Sequence, residues 1–235
     1  MGSESTLDYE LKYVFNKSVL DLVLTWINSF CLPDPLYLFG RVSSVYFDTR
    51  KLRSLEEKVN SDYIRSKFRI RWYSTGDPES PDDISFLEIK QKIGTTRKKR
   101  RIECHVSGKY LAGADLTADA YLGIASILRA EGELFGENLF PLFQIDYKRW
   151  RFVEPLSGMR LCVDCDISVP KVNESIFPNP LPLFLENGVL EIKGSLNELP
   201  EVLNPLTFLG CRKESFSKYR SCFEKLNAFY RFAWA

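Results

Sequence analysis

The sequence predicts an α+β fold in which about eight antiparallel strands close into a barrel-shaped tunnel, with helices packed outside. Two observations support this prediction: several strands with one charged face, and mostly short connections between the predicted elements. The clearest strand is residues 67–73, where Lys67, Arg69 and Arg71 alternate with apolar residues. Because successive side chains of a strand point to opposite faces, this strand has one cationic face and one apolar face.

The same alternation of charged and apolar residues recurs in four other segments, at residues 7–13, 86–92, 159–166 and 189–193. In the last of these segments, Lys193 is predicted to share the charged face. A two-sheet sandwich with a solvated outer surface does not account well for five strands of this kind. Inward and outward residues alternate along every strand of a closed barrel, so the pattern favours a barrel with a charged interior.

Helical segments are interleaved with these strands. Apolar residues recur at helical spacing in residues 17–30 and 116–129, and a last helix is predicted over residues 216–232. Residues 55–60 are interpreted as a short strand. About nine strands and three or four helices in mixed order indicate the α+β class. Because no segment has the composition of an interdomain linker, residues 1–235 are predicted to form a single domain.

Composition limits the possible classes of function. The 32 basic and 31 acidic residues nearly balance, which argues against a general nucleic-acid coat and predicts no nucleic-acid partner. No apolar run approaches the roughly 20 residues of a membrane-spanning helix, and the first residues lack a signal-peptide pattern, so a cytoplasmic location is expected. The six scattered cysteines suit free thiols. Cys162 and Cys165 have the spacing of a zinc knuckle, but no second pair accompanies them.

The charged faces indicate a polyanionic ligand. Cations that are packed together repel one another, and phosphate suits both the fork of arginine and the point charge of lysine. The interspersed carboxylates Glu10, Glu88 and Glu191 allow two interpretations, namely a divalent metal that bridges phosphate oxygens, or ion pairs with neighbouring cations. We favour the metal for Glu191 and ion pairing for Glu88.

Other chemistries lack support in the sequence. There is no phosphate-binding loop of the P-loop type, no dinucleotide-binding fingerprint and no nucleophile elbow. His105 is the only histidine, and it has no evident partner for a catalytic triad. Phosphoryl transfer needs no side-chain nucleophile, since charge neutralisation and in-line positioning of the reacting groups supply most of the catalysis.

Seven short motifs occur along the chain in a fixed order, at residues 9–13, 44–48, 67–73, 86–90, 147–149, 189–193 and 217–219. Together they resemble the VTC domain, the catalytic domain of the vacuolar transporter chaperone polyphosphate polymerase. That domain is grouped with the triphosphate tunnel metalloenzymes, alongside the CYTH proteins. The resemblance covers nearly the whole chain. Each motif is weak by itself, and their common order makes the resemblance specific.

The resemblance implies a set of basic side chains that project into the tunnel and bind the triphosphate and the growing chain: Lys12, Arg69, Arg71, Lys90, Arg149 and Arg160. Lys58 would join them from the strand predicted at residues 55–60. Lys99 and Arg101 resemble a basic strand that faces the tunnel. The continuous run of cations at residues 97–101 leaves the register of that strand open.

The resemblance also implies roles for four other residues. Tyr147 would bond a phosphate oxygen, and Glu191 would bind Mn²⁺ or Mg²⁺. Ser217 and Lys218 would bind phosphate at the start of the last helix, where free N–H groups favour anions. The wider superfamily opens with Glu-x-Glu-x-Lys, whereas this chain has aspartate at the first of these positions and keeps Glu10. Whether Glu10 binds the metal is therefore left open.

Three functions follow from these expectations. The first is a polyphosphate polymerase that moves the γ-phosphate of ATP onto a polyphosphate chain with a divalent metal. The second is a triphosphatase of the same superfamily, which uses water as the acceptor, and the third is a non-catalytic polyphosphate-binding module. The expected ligands are ATP or another triphosphate, and polyphosphate. The large polymerase subunits carry membrane helices. Two alternatives follow for this chain: a separate membrane protein is a partner that holds the domain at a membrane, or the product stays in the cytosol.

Overall fold

The structure, a computed structural model, describes residues 9–60, 62–75, 81–94, 96–130, 138–178 and 182–233. Its strands are β1 (Tyr9–Asn16), β2 (Leu32–Pro33), β3 (Phe39–Asp48), β4 (Ile64–Ser74), β5 (Ser85–Ile93), β6 (Thr96–Cys104), β7 (Phe140–Val153), β8 (Arg160–Val169), β9 (Leu183–Phe184), β10 (Asn187–Gly194) and β11 (Arg212–Lys213). Its α-helices are α1 (Leu20–Phe30), α2 (Arg53–Val59), α3 (Gly108–Gly113), α4 (Asp119–Ala130) and α5 (Lys218–Ala233), and 3-10 helices span Lys17–Val19 and Glu201–Thr207. None of the helices in these ranges combines the length and apolar character that a membrane crossing requires.

The strands follow the order β11-β1-β10-β8-β7-β3-β4-β5-β6, with β2 paired to β7 and β9 paired to β8. This mixture of a largely antiparallel sheet and a few helices confirms the predicted α+β class. The sheet order has two ends, and the described residues contain no pairing between β11 and β6. The predicted closed barrel is therefore not confirmed. Strand β11 is only two residues long, and β6 exposes consecutive cations, a feature that discourages further strand pairing.

The chain divides into two compact units that are each assembled from three segments. The first unit comprises residues 1–41, 147–167 and 184–218, and the second comprises residues 42–146, 168–183 and 219–235. Each unit combines segments that are distant along the chain. The boundary between the units is therefore crossed several times, and a single linker does not mark it. The single domain expected from the sequence stays a prediction.

The core of the first unit lies between the sheet and α1. Strands β1, β8 and β10 contribute the apolar residues of their alternating patterns, and α1 contributes Val23 and Ile27, both fully buried. The 3-10 helix at Glu201–Thr207 covers the same core, and its Val202 carbonyl accepts a 2.8 Å hydrogen bond from the Trp26 indole. The apolar side of these strands is thus covered by helices, as the sequence predicted.

The core of the second unit lies between the β4-β5-β6 meander and helices α3 and α4. Phe68, Ile70 and Trp72 of β4 have no exposed surface, and burial of each such side chain contributes about 1.5–3 kcal/mol. Helix α3 approaches β4 closely at Gly108, where an added Cβ would lie 2.8 Å from the side chain of Trp72. Glycine permits this contact because it has no side chain.

Residues 55–60 are not a strand. They belong largely to α2, which ends at Val59, so the sequence interpretation of this segment is wrong. The physical reason is a cap outside the segment: the Asp48 carboxylate accepts hydrogen bonds from the backbone N–H groups of Ser54 at 2.9 Å and Leu55 at 3.2 Å. An anion at a helix N-terminus satisfies its free donors and complements its dipole. Lys58 therefore lies on a helix, and its side chain is outside the described part of the structure.

Candidate functional site

In the second unit, the register of β4, β5 and β6 arranges the charged side of the meander in rows across the strands. One row is Lys67, Lys90 and Lys99, in which each residue lies directly opposite the next. The neighbouring row is Arg69, Glu88 and Arg101. The structure thereby settles the register of the cation run in β6, because Lys99 and Arg101 share the side of Glu88.

Glu88 is the centre of a cluster of cations. Its side chain is only 1% exposed, and it lies 2.5 Å from Arg69, 3.7 Å from Arg71, 3.4 Å from Lys99 and 3.9 Å from Arg101. Burial would raise the pKa of the Glu88 carboxyl, but Arg69, Arg71 and Lys99 hold it well below its usual value. The carboxylate is therefore ionised, and the interpretation of Glu88 as an ion-pairing residue is confirmed.

Strand β3 supplies hydroxyl groups that fix two of these arginines. The Ser44 hydroxyl accepts a hydrogen bond from Nε of Arg71 at 3.1 Å, and the Tyr46 hydroxyl accepts one from Nη1 of Arg69 at 3.0 Å. Ser44 and Tyr46 are separated by one residue and share a face of the strand. Sequence reasoning assigned no role to these two residues. The sequence did indicate a special segment, since residues 44–48 carry a polar side chain at every second position, and the structure buries all five residues.

Asp48 continues the same row of β3 and anchors helix α5. It has no exposed surface, and it accepts a 2.6 Å hydrogen bond from the Tyr219 hydroxyl in addition to its bonds to α2. The Tyr219 ring stacks on Tyr46 with centroids 5.0 Å apart, and Nζ of Lys67 lies 6.0 Å from its centroid. Burial and the neighbouring Asp48 both raise the pKa of Tyr219, so its hydroxyl stays a hydrogen-bond donor.

In the first unit, the register of β1, β10 and β8 assembles a second charged surface. Lys12 lies opposite Glu191, and Glu10 lies opposite Lys193, which in turn lies opposite Arg160. Lys12 forms a 3.3 Å ion pair with Glu10, and Lys193 forms an ion pair with Glu191. These five predicted site residues therefore share one side of three adjacent strands.

Asp164 organises the buried part of this surface. Its carboxylate has no exposed surface and accepts two hydrogen bonds from Arg149, at 2.6 and 2.7 Å, and one from Lys218 at 2.5 Å. Burial would raise the pKa of Asp164, but Arg149 and Lys218 lower it to about 2. Sequence alternation placed Asp164 on the charged face without giving it a role. The structure shows that it holds two of the predicted phosphate ligands in place.

Tyr147 lies beneath the same two cations. Nζ of Lys218 is 4.6 Å from its ring centroid, and Cζ of Arg149 is 5.3 Å from it. Both distances are within the range of cation–π attraction. The tyrosine is buried, so its ring supports the two cations, and the expected bond from its hydroxyl to phosphate stays a prediction. Ser217 directly precedes α5, whose first residue is Lys218.

Glu191 is a buried carboxylate that lies among the cations of this second charged surface. Burial would raise the pKa of its carboxyl, but Lys193 and Lys12 hold it well below its usual value, so the group is ionised. The described ranges contain no cluster of three or more His, Cys, Asp or Glu that could bind a metal without other ligands. Metal binding by Glu191 therefore stays a prediction.

Comparison with known proteins extends these observations. A sequence model of the VTC domain family matches residues 7–227 of the chain. No curated protein matches the chain significantly. The crystal structure of a candidate adenylate cyclase from Bacillus halodurans superposes with a TM-score of 0.53 and 14% identity, over 92% of this chain and 96% of that one. A candidate adenylate cyclase from Vibrio parahaemolyticus gives a TM-score of 0.49 and 10% identity, over 96% and 99% of the two chains. At this identity, the Bacillus structure establishes similarity of fold alone.

Proposed function

The chain belongs to the VTC domain family, and on that premise we propose that it is a phosphotransferase of the polyphosphate polymerase type. It would bind a triphosphate through its basic strand faces and move the γ-phosphate of ATP onto the end of a polyphosphate chain. Mn²⁺ or Mg²⁺ would be the metal cofactor. A cytoplasmic location and a membrane protein as partner stay predictions.

The observation that supports this proposal most directly is the row of Lys67, Lys90 and Lys99 across three adjacent strands. Residues that lie directly opposite one another have Cβ atoms about 4.5–5.5 Å apart, and like charges in such positions are destabilising. A bound chain of phosphates would relieve this repulsion, because it carries a negative charge on every unit. The adjacent row has Glu88 between two arginines, and Glu88 also lies 3.4 Å from Lys99.

Asp164 supports the same function in the first unit by fixing Arg149 and Lys218 before any ligand binds. Phosphoryl transfer depends mainly on charge neutralisation and alignment of the reacting groups. Cations that are already oriented need little reorganisation when negative charge builds up on the transferred group. Arg149 would stabilise the phosphate oxygens through its planar guanidinium, and Lys218 would act as a point charge beside it.

Glu191 would hold the metal, and Lys12 and Lys193 would remain beside it to bind phosphate oxygens. A divalent metal held there would neutralise part of the negative charge of the phosphates. Glu10, which is paired with Lys12, is the second candidate ligand. That the cations of both units face one enclosed tunnel stays a prediction.

The proposal is tested by incubating the purified protein with ATP and Mn²⁺ or Mg²⁺ and separating the products on a gel that resolves phosphate chains. Chains that lengthen with time would support it. Release of phosphate without chain growth would indicate a triphosphatase, and binding without any turnover would indicate a non-catalytic module. Either result would contradict the proposed polymerase.

A matched pair of variants tests the role of the lysine row. Replacing Lys90 and Lys99 together by Ala should greatly weaken the binding of tripolyphosphate, measured by calorimetry. The control replaces Lys98 and Arg100 by Ala, since these cations point to the other side of β6. If both variants lose affinity equally, the positive charge of this edge of the sheet determines affinity, and the alignment of the lysines in a row contributes nothing further.

A further inference from the structure

Two aromatic side chains lie on the charged side of the β4-β5 hairpin, where a cationic or polar residue would be expected. Phe86 lies directly opposite Arg71 in the register, and Tyr73 is two residues beyond Arg71 on the same face of β4. Neither residue belongs to the hydrophobic core on the opposite side of the meander. Both are half-buried, and their ring centroids are 6.2 Å apart with an interplanar angle of 63°.

Arg101 lies over this aromatic pair. Its Cζ atom is 3.7 Å from the centroid of Phe86 and 5.7 Å from that of Tyr73. The guanidinium is also held by Glu88, whose carboxylate is 3.9 Å from its Nε atom. The guanidinium therefore covers one face of Phe86, while Tyr73 meets Phe86 edge to face. The Arg101 side chain stays 40% exposed, so the guanidinium is a planar group that is supported by two aromatic rings and accessible to a ligand.

Tyr73 is fixed in this arrangement by its hydroxyl group. A side-chain hydrogen bond joins Tyr73 to Arg71, and Arg71 is bonded in turn to the Ser44 hydroxyl at 3.1 Å. A rigid aromatic surface loses little side-chain entropy when a flat ligand stacks on it. This contrasts with the flexible lysines of the Lys67 row, which suit phosphate groups and offer nothing to a heterocycle.

We propose that the guanidinium of Arg101, supported by Phe86 and Tyr73, forms a stacking site for the base of a nucleoside triphosphate. This inference rests on the proposed function and specifies its substrate class. Bases stack readily on aromatic rings and on guanidinium planes. Lys67 and Arg71 are four residues apart on β4, which corresponds to about 13 Å along the strand. The phosphates would lie toward the lysine row, and the base would lie at the aromatic end.

Stacking without directional hydrogen bonds makes two further features of the site predictable. It should accept more than one base, because every base has a π face. Purines should bind better than pyrimidines, since their larger ring system covers more of the stacking site. Inorganic triphosphate should use the cationic rows alone.

The test compares ATP with tripolyphosphate as ligands of the wild type and of Phe86→Leu. Leucine keeps apolar bulk beneath Arg101 but removes the ring that holds the guanidinium plane in place. Stacking on an aromatic side chain contributes on the order of 1–3 kcal/mol per base. We therefore expect Phe86→Leu to weaken ATP binding by about tenfold, while tripolyphosphate affinity changes by less than about twofold. Tyr110→Leu is the control, because this tyrosine is exposed and lies outside the stacking site.

The outcomes separate this inference from the proposed function. Equal loss of affinity for both ligands, or no loss for either, would overturn the stacking site while the wild type still binds tripolyphosphate. A wild type that binds neither ligand would overturn the proposed function itself. If Phe86→Leu is poorly folded by circular dichroism, Tyr73→Leu gives the same comparison. Quenching of a fluorescent purine triphosphate on binding provides an independent measure of stacking.

Discussion

The Tyr46 hydroxyl accepts a 3.0 Å hydrogen bond from Nη1 of Arg69, while Glu88 binds Nε and Nη2 of the same guanidinium at 2.8 and 2.5 Å. Residues of two different strands, β3 and β5, thus bind two edges of the Arg69 guanidinium. The plane of the guanidinium is therefore fixed before a ligand arrives. Since arginine recognises phosphate through a planar fork, the orientation of that plane contributes to affinity.

Removal of the Tyr46 hydroxyl should therefore weaken phosphate binding without disturbing the fold. Tyr46→Phe keeps the ring that stacks on Tyr219 and removes only the acceptor of Arg69. The loss of one hydrogen bond to a charged group corresponds to about 1.5 kcal/mol, so tripolyphosphate affinity should fall roughly tenfold by calorimetry.

A double-mutant cycle distinguishes positioning from a general structural effect. In an Arg69→Lys background, where the guanidinium is gone, Tyr46→Phe should cause almost no further loss of affinity. Losses that simply add in the double variant would show that Tyr46 does not act through Arg69. Tyr110→Phe serves as the exposed control.

Arg71→Lys tests whether the planar shape of the guanidinium contributes to phosphate affinity in addition to its charge. Arg71 is 6% exposed, donates to Ser44 and lies 3.7 Å from Glu88, so its guanidinium has a defined orientation. Lysine keeps the positive charge but loses the planar fork, and tripolyphosphate should bind at least about tenfold more weakly, or 1.4 kcal/mol. Arg220→Lys, at an exposed ion pair with Glu224, should bind normally. Unchanged affinity of Arg71→Lys would refute the geometric argument.

Glu191→Gln separates metal binding from charge balance. The amide keeps the shape of the side chain but removes the anionic oxygen that a hard divalent cation requires. Turnover of ATP with Mn²⁺ should fall on the order of a thousandfold, whereas polyphosphate binding should persist or become tighter. Binding of Mn²⁺ in the presence of tripolyphosphate, followed by electron paramagnetic resonance, should be lost in parallel.

The matched control for this variant is Glu186→Gln, which removes an exposed carboxylate that pairs with Lys17. It should leave turnover and Mn²⁺ binding unchanged. Near-normal turnover of Glu191→Gln would exclude the metal role and leave this carboxylate as a partner of Lys193 and Lys12 alone.

The lowered pKa of Asp164 predicts that the folded protein loses stability in acid. Its pKa is lowered to about 2 in the folded protein, whereas an unfolded chain has an aspartate pKa of about 3.9. The unfolded state therefore takes up the proton first as the pH falls. The stabilisation is fully present above about pH 4 and is lost as the pH falls toward 2. Urea unfolding at a series of pH values measures this change.

Asp164→Asn should flatten the acid dependence in that pH window. It should also lower the free energy of unfolding at neutral pH by about 3–5 kcal/mol, because it leaves Arg149 and Lys218 buried without their anion. Asp166→Asn is the control, since Asp166 is exposed and pairs only at the surface with Lys148. An acid profile of Asp164→Asn that matches the wild type would contradict this assignment.

Several features of the protein were predictable because they depend on neighbouring residues alone. Alternation along a strand follows from backbone geometry, so residues 67–73 were divided correctly into a charged and an apolar side. The interpretation of Glu88 as an ion-pairing residue followed from the cations around it in the same pattern. The helix over residues 17–30 was found by its apolar period, apart from the 3-10 turn at its start.

Pairing between strands decided what local pattern could not. In the cation run of β6, either register gives a charged face, and only its alignment with β5 brings Lys99 and Arg101 to Glu88. Closure of the sheet likewise depends on whether its two end strands meet. No local rule specifies this, and the expected closed barrel was not confirmed.

By itself, the sequence determined which side of five strands is charged and where most helices form, and it predicts phosphate as the ligand. Tertiary structure decided which groups hold the cations in place. Tyr219 donates to Asp48 from 171 residues away, and the same carboxylate turns residues 55–60 into helix instead of strand. Such partners are invisible in a local pattern because a buried carboxylate is stabilised by whichever donors folding brings to it, regardless of their distance along the chain.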